Sequence, residues 1–220
     1  MRSLAFFALG FGLLQAAAQA QTTNVAAPAG TSNRDADGGM ISTTRPATTP
    51  EYAPLTASER WRLYLLGAYG PRAILNAAAV GGIAQLEDHP KEWGGGALAF
   101  GERVGNSYAE HIVRQTLESG AAAILREDNR YVRSTETGFW KRTRHAVGEV
   151  FVARNDLGQQ HFAYSRFAGA AGASFISRIW QPRSENSPGD ATVNLGLTIA
   201  GYAGWNVFKE FRPAHFMRRR

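Results

Sequence analysis

Hydrophobic and polar positions change period several times along this chain, and each change marks an element. Leu4 through Leu14 is an unbroken run of apolar residues and glycine. It is shorter than the ~20 residues that a membrane span needs. With Arg2 in front and Ala18-Gln19-Ala20 behind, it reads as a cleavable secretory signal over residues 1–20. Residues 21–53 are rich in Thr, Ala and Pro and nearly empty of large apolar side chains. Such a stretch cannot offset its ordering entropy, so it is expected to be a disordered spacer. Residues 54–213 carry the folding signal and are expected to form a single domain, followed by a basic tail, 214–220.

Within 54–213 the dominant period is helical. Thr56-Ala57-Ser58-Glu59 resembles a helix start, and Trp61, Leu63, Leu65 and Leu66 follow it. Gly70-Pro71 ends that helix and opens a second, alanine-rich one over 72–86. Asp88-His89-Pro90 is a turn and Gly94-Gly95-Gly96 a hinge. A long helical pattern spans 97–125, with Gly120 expected to kink or split it. Residues 126–140 read as loop. Residues 139–153 read as helix, with Val150-Phe151-Val152 as a strand alternative. Asn155 to Gly158 is a turn, and helices are expected over 162–180 and 190–211.

Small residues recur every fourth position: Ala77 with Gly81, Gly101 with Gly105, Ala168 with Gly172, and Gly196 with Ala200 and Gly204. On a helix this spacing makes a smooth ridge against which a second backbone packs closely. The expected fold is therefore mainly α, a compact bundle of five to six helices packed through Gly/Ala ridges. The alternative is an outer-membrane β-barrel, because Val193, Leu195, Leu197 and Ile199 alternate with smaller or polar residues. A closed barrel needs about eight strands of roughly ten residues, and the chain does not offer them. Ala191 to Phe208 is uncharged and at the lower edge of a spanning length.

Composition narrows the function classes. The absence of cysteine excludes a lipid-bearing N-terminal cysteine, disulfides and thiolate metal sites. Removing the signal takes one of 24 basic residues and none of 18 acidic ones, leaving +5. A basic exported chain is expected to meet an anionic envelope surface (lipid, lipopolysaccharide or cell wall) or an envelope protein, and not nucleic acid. The ridges also allow self-association. The expected location is the periplasm or outer membrane of a bacterium.

Recognised catalytic motifs are missing: no G-x-S-x-G, no H-E-x-x-H, no phosphate loop and no dinucleotide fingerprint. No cofactor is implied. Two clusters carry candidate chemistry. Glu127, Asp128 and Arg130 could do acid–base work or hold a sugar, although such clusters more often tie down a loop. His111 with Glu118, and His145 with Glu149, each share a helix face and could supply a metal site if their helices faced one another.

The Glu127–Tyr131 cluster, Trp93-Gly94 after a proline turn, Val152 to Asp156, Trp180-Gln181-Pro182 and Asn206 to Pro213 together resemble a group of uncharacterised exported proteins common in acidobacterial genomes. The resemblance covers residues 60–213. It departs at Asn129 and Arg212, where the group carries Pro and Trp. It implies export and a shared fold and supplies no activity. The function expected from the sequence is a non-enzymatic structural or interaction role in the envelope, membrane-associated. The alternatives are a periplasmic hydrolase using the acidic cluster or a His/Glu metal site, and a small barrel or pore.

Overall fold

The structure, a computed structural model, describes residues 52–212. The expected signal, the spacer up to residue 51 and the basic tail lie outside the described residues. The described part is mainly α-helical, as the sequence predicts, with six α-helices and one two-stranded hairpin.

Helix α1 spans Ala57–Tyr69. Its start is set by a reciprocal capping box between Thr56 and Glu59. Gly70 is extended, and Pro71 opens α2, Pro71–Leu86, where its missing N–H costs nothing. Helix α3, Gly96–Leu125, runs unbroken through Gly120 for 30 residues, roughly 45 Å. It ends at Arg126 in the left-handed conformation, φ 54°. Helix α4 is Phe139–Gly148, α5 is Tyr164–Ile176 and α6 is Pro188–Phe211. A second capping box, Ser187 with Asp190, starts α6. Helix α3 is the hub: α1, α2 and α5 pack on it, while α4 and α5 pack on α6.

The helix expected over 139–153 stops at Gly148. Val152–Arg154 forms strand β1, antiparallel to β2, Gln160–Phe162. Of the strand alternative Val150-Phe151-Val152 only Val152 enters a strand, since Val150 and Phe151 form a turn, and the strand extends to Arg154, which also bonds outward. Its N–H donates to Asp128 O (3.0 Å) and its carbonyl accepts from Asp128 N–H (2.8 Å). Residues 52 and 53, expected in the spacer, belong to the folded body: Tyr52 donates to Asp128 (2.8 Å) and Ala53 accepts from Arg130 (3.0 Å).

The small-residue ridges divide into two kinds. A Cβ at Gly81 would lie 2.7 Å from Val104 Cγ2 and 2.8 Å from its backbone N, so α2 and α3 touch there, beside buried Ala77. A Cβ at Gly169 would lie 2.6 Å from Glu118 Cβ and 2.9 Å from Arg114 O, so α5 and α3 touch there. Gly172 sits against Leu117, while its partner Ala168 is exposed. Gly101, Gly105 and Gly196 would meet nothing within 4 Å, and Ala200 and Gly204 are exposed. These outward positions do not pack the chain. The reason is phase. Helix α6 buries Gly201 and Trp205, and the expected series lies one residue earlier, about 100° round the helix.

The interior is inverted in character. Its fully buried apolar side chains are alanines together with Val150 and Trp205. Among the largest fully buried side chains are Arg103, Glu127 and Glu210. Large apolar side chains lie outside instead, among them Trp61, Leu75, Leu86, Ile124, Trp140 and Ile179. No helix among the described residues is long and apolar enough to cross a membrane, and this includes α6, which holds 191–208.

Candidate functional site

The acidic cluster is an anchor. Glu127 is 1% exposed. Its Oε2 accepts from Ser165 N–H (2.8 Å) and Ser165 Oγ (2.5 Å), so the carboxylate caps the first turn of α5. Asp128 is also buried and accepts from Tyr52 (2.8 Å), Arg130 N–H (2.9 Å) and Arg130 Nε (2.7 Å). Burial acts to raise its pKa, but the Arg130 and Tyr52 bonds outweigh it and hold the carboxyl below its ordinary value. Glu210 closes the network, accepting from Tyr131 (2.5 Å), Ser134 N–H (3.1 Å) and Arg142 Nε (2.7 Å). Such enclosed carboxylates are poorly placed to meet a substrate.

The four candidate metal ligands have other partners. His111 Nε2 donates to Gly67 O at 2.8 Å and His145 Nε2 to Val132 O at 3.0 Å. Glu118 accepts from Asn129 (3.2 Å) and Tyr202 (3.0 Å). Glu149 is forked to Arg154 at 2.9 and 3.2 Å. Among the described residues no group of three or more metal-ligating side chains comes together.

His111 serves instead as a buried neutral group. Its Nδ1 accepts from Arg114 (3.0 Å), and burial, aided by Arg114, pushes its pKa down to about 4. The unfolded chain, near 6.5, therefore binds this proton first. Stability contributed here is full above about pH 6.5 and is lost as pH falls toward 4, by up to about 3 kcal/mol. Glu110 acts in the opposite sense, since burial raises its pKa. The measurement is a set of urea melts at several pH values for the wild type and His111→Gln. The gap between the two should change by that amount across the interval, with the wild type losing more.

The accessible chemistry lies in a half-open cavity of about 450 Å³ between α2, α3 and α6. Val80, Ala84, Val193 and Leu197 form its apolar side. Asn76, Asn106, Glu110 and Asn194 form its polar side. Two connections make the rim. Arg103 holds residues 88–94, donating to the carbonyls of His89 (2.8 Å), Pro90 (3.0 Å) and Gly94 (3.0 Å). Asn106 holds the other, accepting from Trp180 Nε1 (2.8 Å) and Gln181 (3.0 Å). Glu92 with Ser184 (2.8 Å) and His89 with Glu185 (2.7 Å) tie the two rims together.

Of the candidate site residues read from the sequence, His111 alone reaches the wall of this cavity. One signal was available. On α2 the face Ala73, Asn76, Ala77, Val80 and Ala84 is small and apolar except for a single amide.

The chain matches no protein-family model, no curated protein and no solved structure.

Proposed function

We propose that this protein is a non-enzymatic component of a bacterial envelope that lies on an anionic lipid surface without spanning it. The observation that carries the reading is the inverted distribution of side chains: alanine and ion pairs inside, large apolar groups outside. Each large apolar side chain left in water forgoes about 1.5–3 kcal/mol relative to burial, and a scattered few would need no comment. The face of α1 is concentrated. Trp61, Leu65, Leu66 and Tyr69 are all exposed on it, with Arg62 exposed among them. Trp61 and Tyr64 lie 5.3 Å apart, and Tyr64 meets Tyr69 edge-on at 6.1 Å. Amphipathic rings and leucines around a cation match the interfacial zone of a bilayer. The export signal read from residues 1–20 supports an envelope location, and the net charge of +5 left after its removal supports an anionic surface.

The test is flotation with vesicles of phosphatidylglycerol and phosphatidylethanolamine. The purified protein is expected to float, with binding weakened by salt. Trp61→Ser with Leu65→Ser should cut the floated fraction about tenfold or more without changing the melting curve, because both sites are exposed. Protein that stays in solution, or a variant that floats like the parent, would contradict the reading.

A further inference from the structure

We propose that the cavity between α2, α3 and α6 is a binding site for a neutral saccharide of one or two rings. This goes beyond lipid docking and does not depend on it. The first observation is an unpartnered buried acceptor. Asn76 is 8% exposed and lines the cavity, and its Oδ1 has no hydrogen-bond partner. Arg178, also in the wall, has a buried Nε–H without a partner. A buried polar group left unpaired destabilises the fold. A free acceptor and a free donor in one cavity call for a ligand group that both donates and accepts, and a hydroxyl does both.

The second observation is that most of the ionisable groups in the wall already have partners. The Arg103 guanidinium is filled by three carbonyls, Gln85 and Asp88. His89 is matched by Glu185 at 2.7 Å. Asp190 is occupied in capping α6. Glu110 accepts from Asn194 at 2.9 Å, and Arg114 lies in the same wall. Among the described residues Arg178, which donates to the Glu185 carbonyl and to Ser177 Oγ, and Glu87 are wall charges without an ion-pair partner; they are of opposite sign, so neither an anion nor a cation is favoured throughout the cavity. The third observation is the division of the walls. Val193 and Leu197 with the half-buried Trp93 offer an apolar face for the C–H side of a sugar ring, opposite amides that can bond its hydroxyls. The volume of about 450 Å³ lies in the range of small-molecule sites.

The experiment uses the full chain. Methyl glucoside, N-acetylglucosamine and maltose are titrated by tryptophan fluorescence and saturation-transfer NMR, with glucuronate and glucosamine as charged comparators. At least one neutral sugar is expected to saturate with a Kd below ~1 mM and to exceed both charged comparators. Asn76→Leu removes the unpartnered acceptor at similar volume. It should weaken that sugar about tenfold or more while leaving the melting temperature unchanged or higher by about 2–4 °C. Trp93→Leu, on a short rim turn, should weaken it as well. The proposal is overturned if no neutral sugar saturates by ~10 mM, if a charged comparator binds more tightly, or if Asn76→Leu binds as the parent does. A lower melting temperature for Asn76→Leu with binding intact would assign the amide a structural role and overturn it equally.

Discussion

Alanine at Gly169 is expected to lower the melting temperature by about 4–10 °C, and alanine at Gly196 to leave it unchanged or raise it slightly. Both are glycine-to-alanine changes inside helices, so propensity alone favours both by up to ~1 kcal/mol. Contact geometry separates them. At Gly169 the added methyl would lie 2.6 Å from Glu118 Cβ and 2.9 Å from the Arg114 carbonyl oxygen. Neither is the free end of a flexible chain, so α5 and α3 must move apart. Overpacking of this kind costs about 1–3 kcal/mol, and here it also disturbs the Glu118 bonds to Asn129 and Tyr202. At Gly196 the methyl meets nothing within 4 Å, and only the propensity gain remains. Thermal melts by circular dichroism decide the matter. Equal melting for both variants would show that the α3–α5 contact is not a tight one.

That contrast also shows what could be read from the residues. The Thr56–Glu59 helix start, the Gly70-Pro71 break and the final helix were legible because each depends on neighbours within a few positions. The recurrence of small residues was legible as a pattern, but not which side of each helix it would face. Facing depends on phase against a partner helix, and a one-residue offset turned Gly196, Ala200 and Gly204 outward. Helix α4 ends earlier than the apolar pattern predicts, for a related reason. The apolar run Val150 to Val152 suits helix or strand, but Val150 and Phe151 form a turn and only Val152 enters the strand, whose far end, Arg154, pairs with Asp128, 26 positions away by number.

The candidate site was legible only in part. Glu127 and Asp128 stood out as a dense cluster, and their more common role, tying down a loop, is what their bonds perform. The cavity was not visible in that way. Its polar side is assembled from single amides on α2, α3 and α6, each unremarked in its own segment. Only the packing of three helices makes Asn76, Asn106 and Asn194 neighbours of one space. A polar residue alone on a small apolar helix face was the available clue, and it does not say whether a protein group or a ligand will satisfy it.

Removal of the Glu149 carboxylate is expected to destabilise the fold more than the glycine substitutions do. Glu149 and Arg154 are 5% and 7% exposed and form a forked ion pair at 2.9 and 3.2 Å. Two charges taken out of water cost more than their attraction must return, so the intact pair adds little net stability. Breaking it is another matter, because Arg154 would remain buried without its anion. Arg166, which donates to the backbone carbonyls of Glu149 and Val150, adds a second positive charge close by. Glu149 is also the anion that favours a charged Lys209, which burial and Arg166 push down to about 7. Arg154 and Lys209 thus both depend on this carboxylate, with Arg166 close by. Glu149→Ala should cost about 3–5 kcal/mol, or roughly 10 °C. The double variant Glu149→Met with Arg154→Met should recover most of that loss, since it removes the stranded charge and fills the space with apolar atoms. A double-mutant cycle by urea melts measures the coupling. If Glu149→Ala unfolds like the parent, or the double variant is no more stable than the single, the network is not holding the hairpin to the bundle through this pair. The expected coupling would instead locate the specificity of the fold in its buried arginines, in a core whose alanines leave few apolar contacts to set the register of the helices.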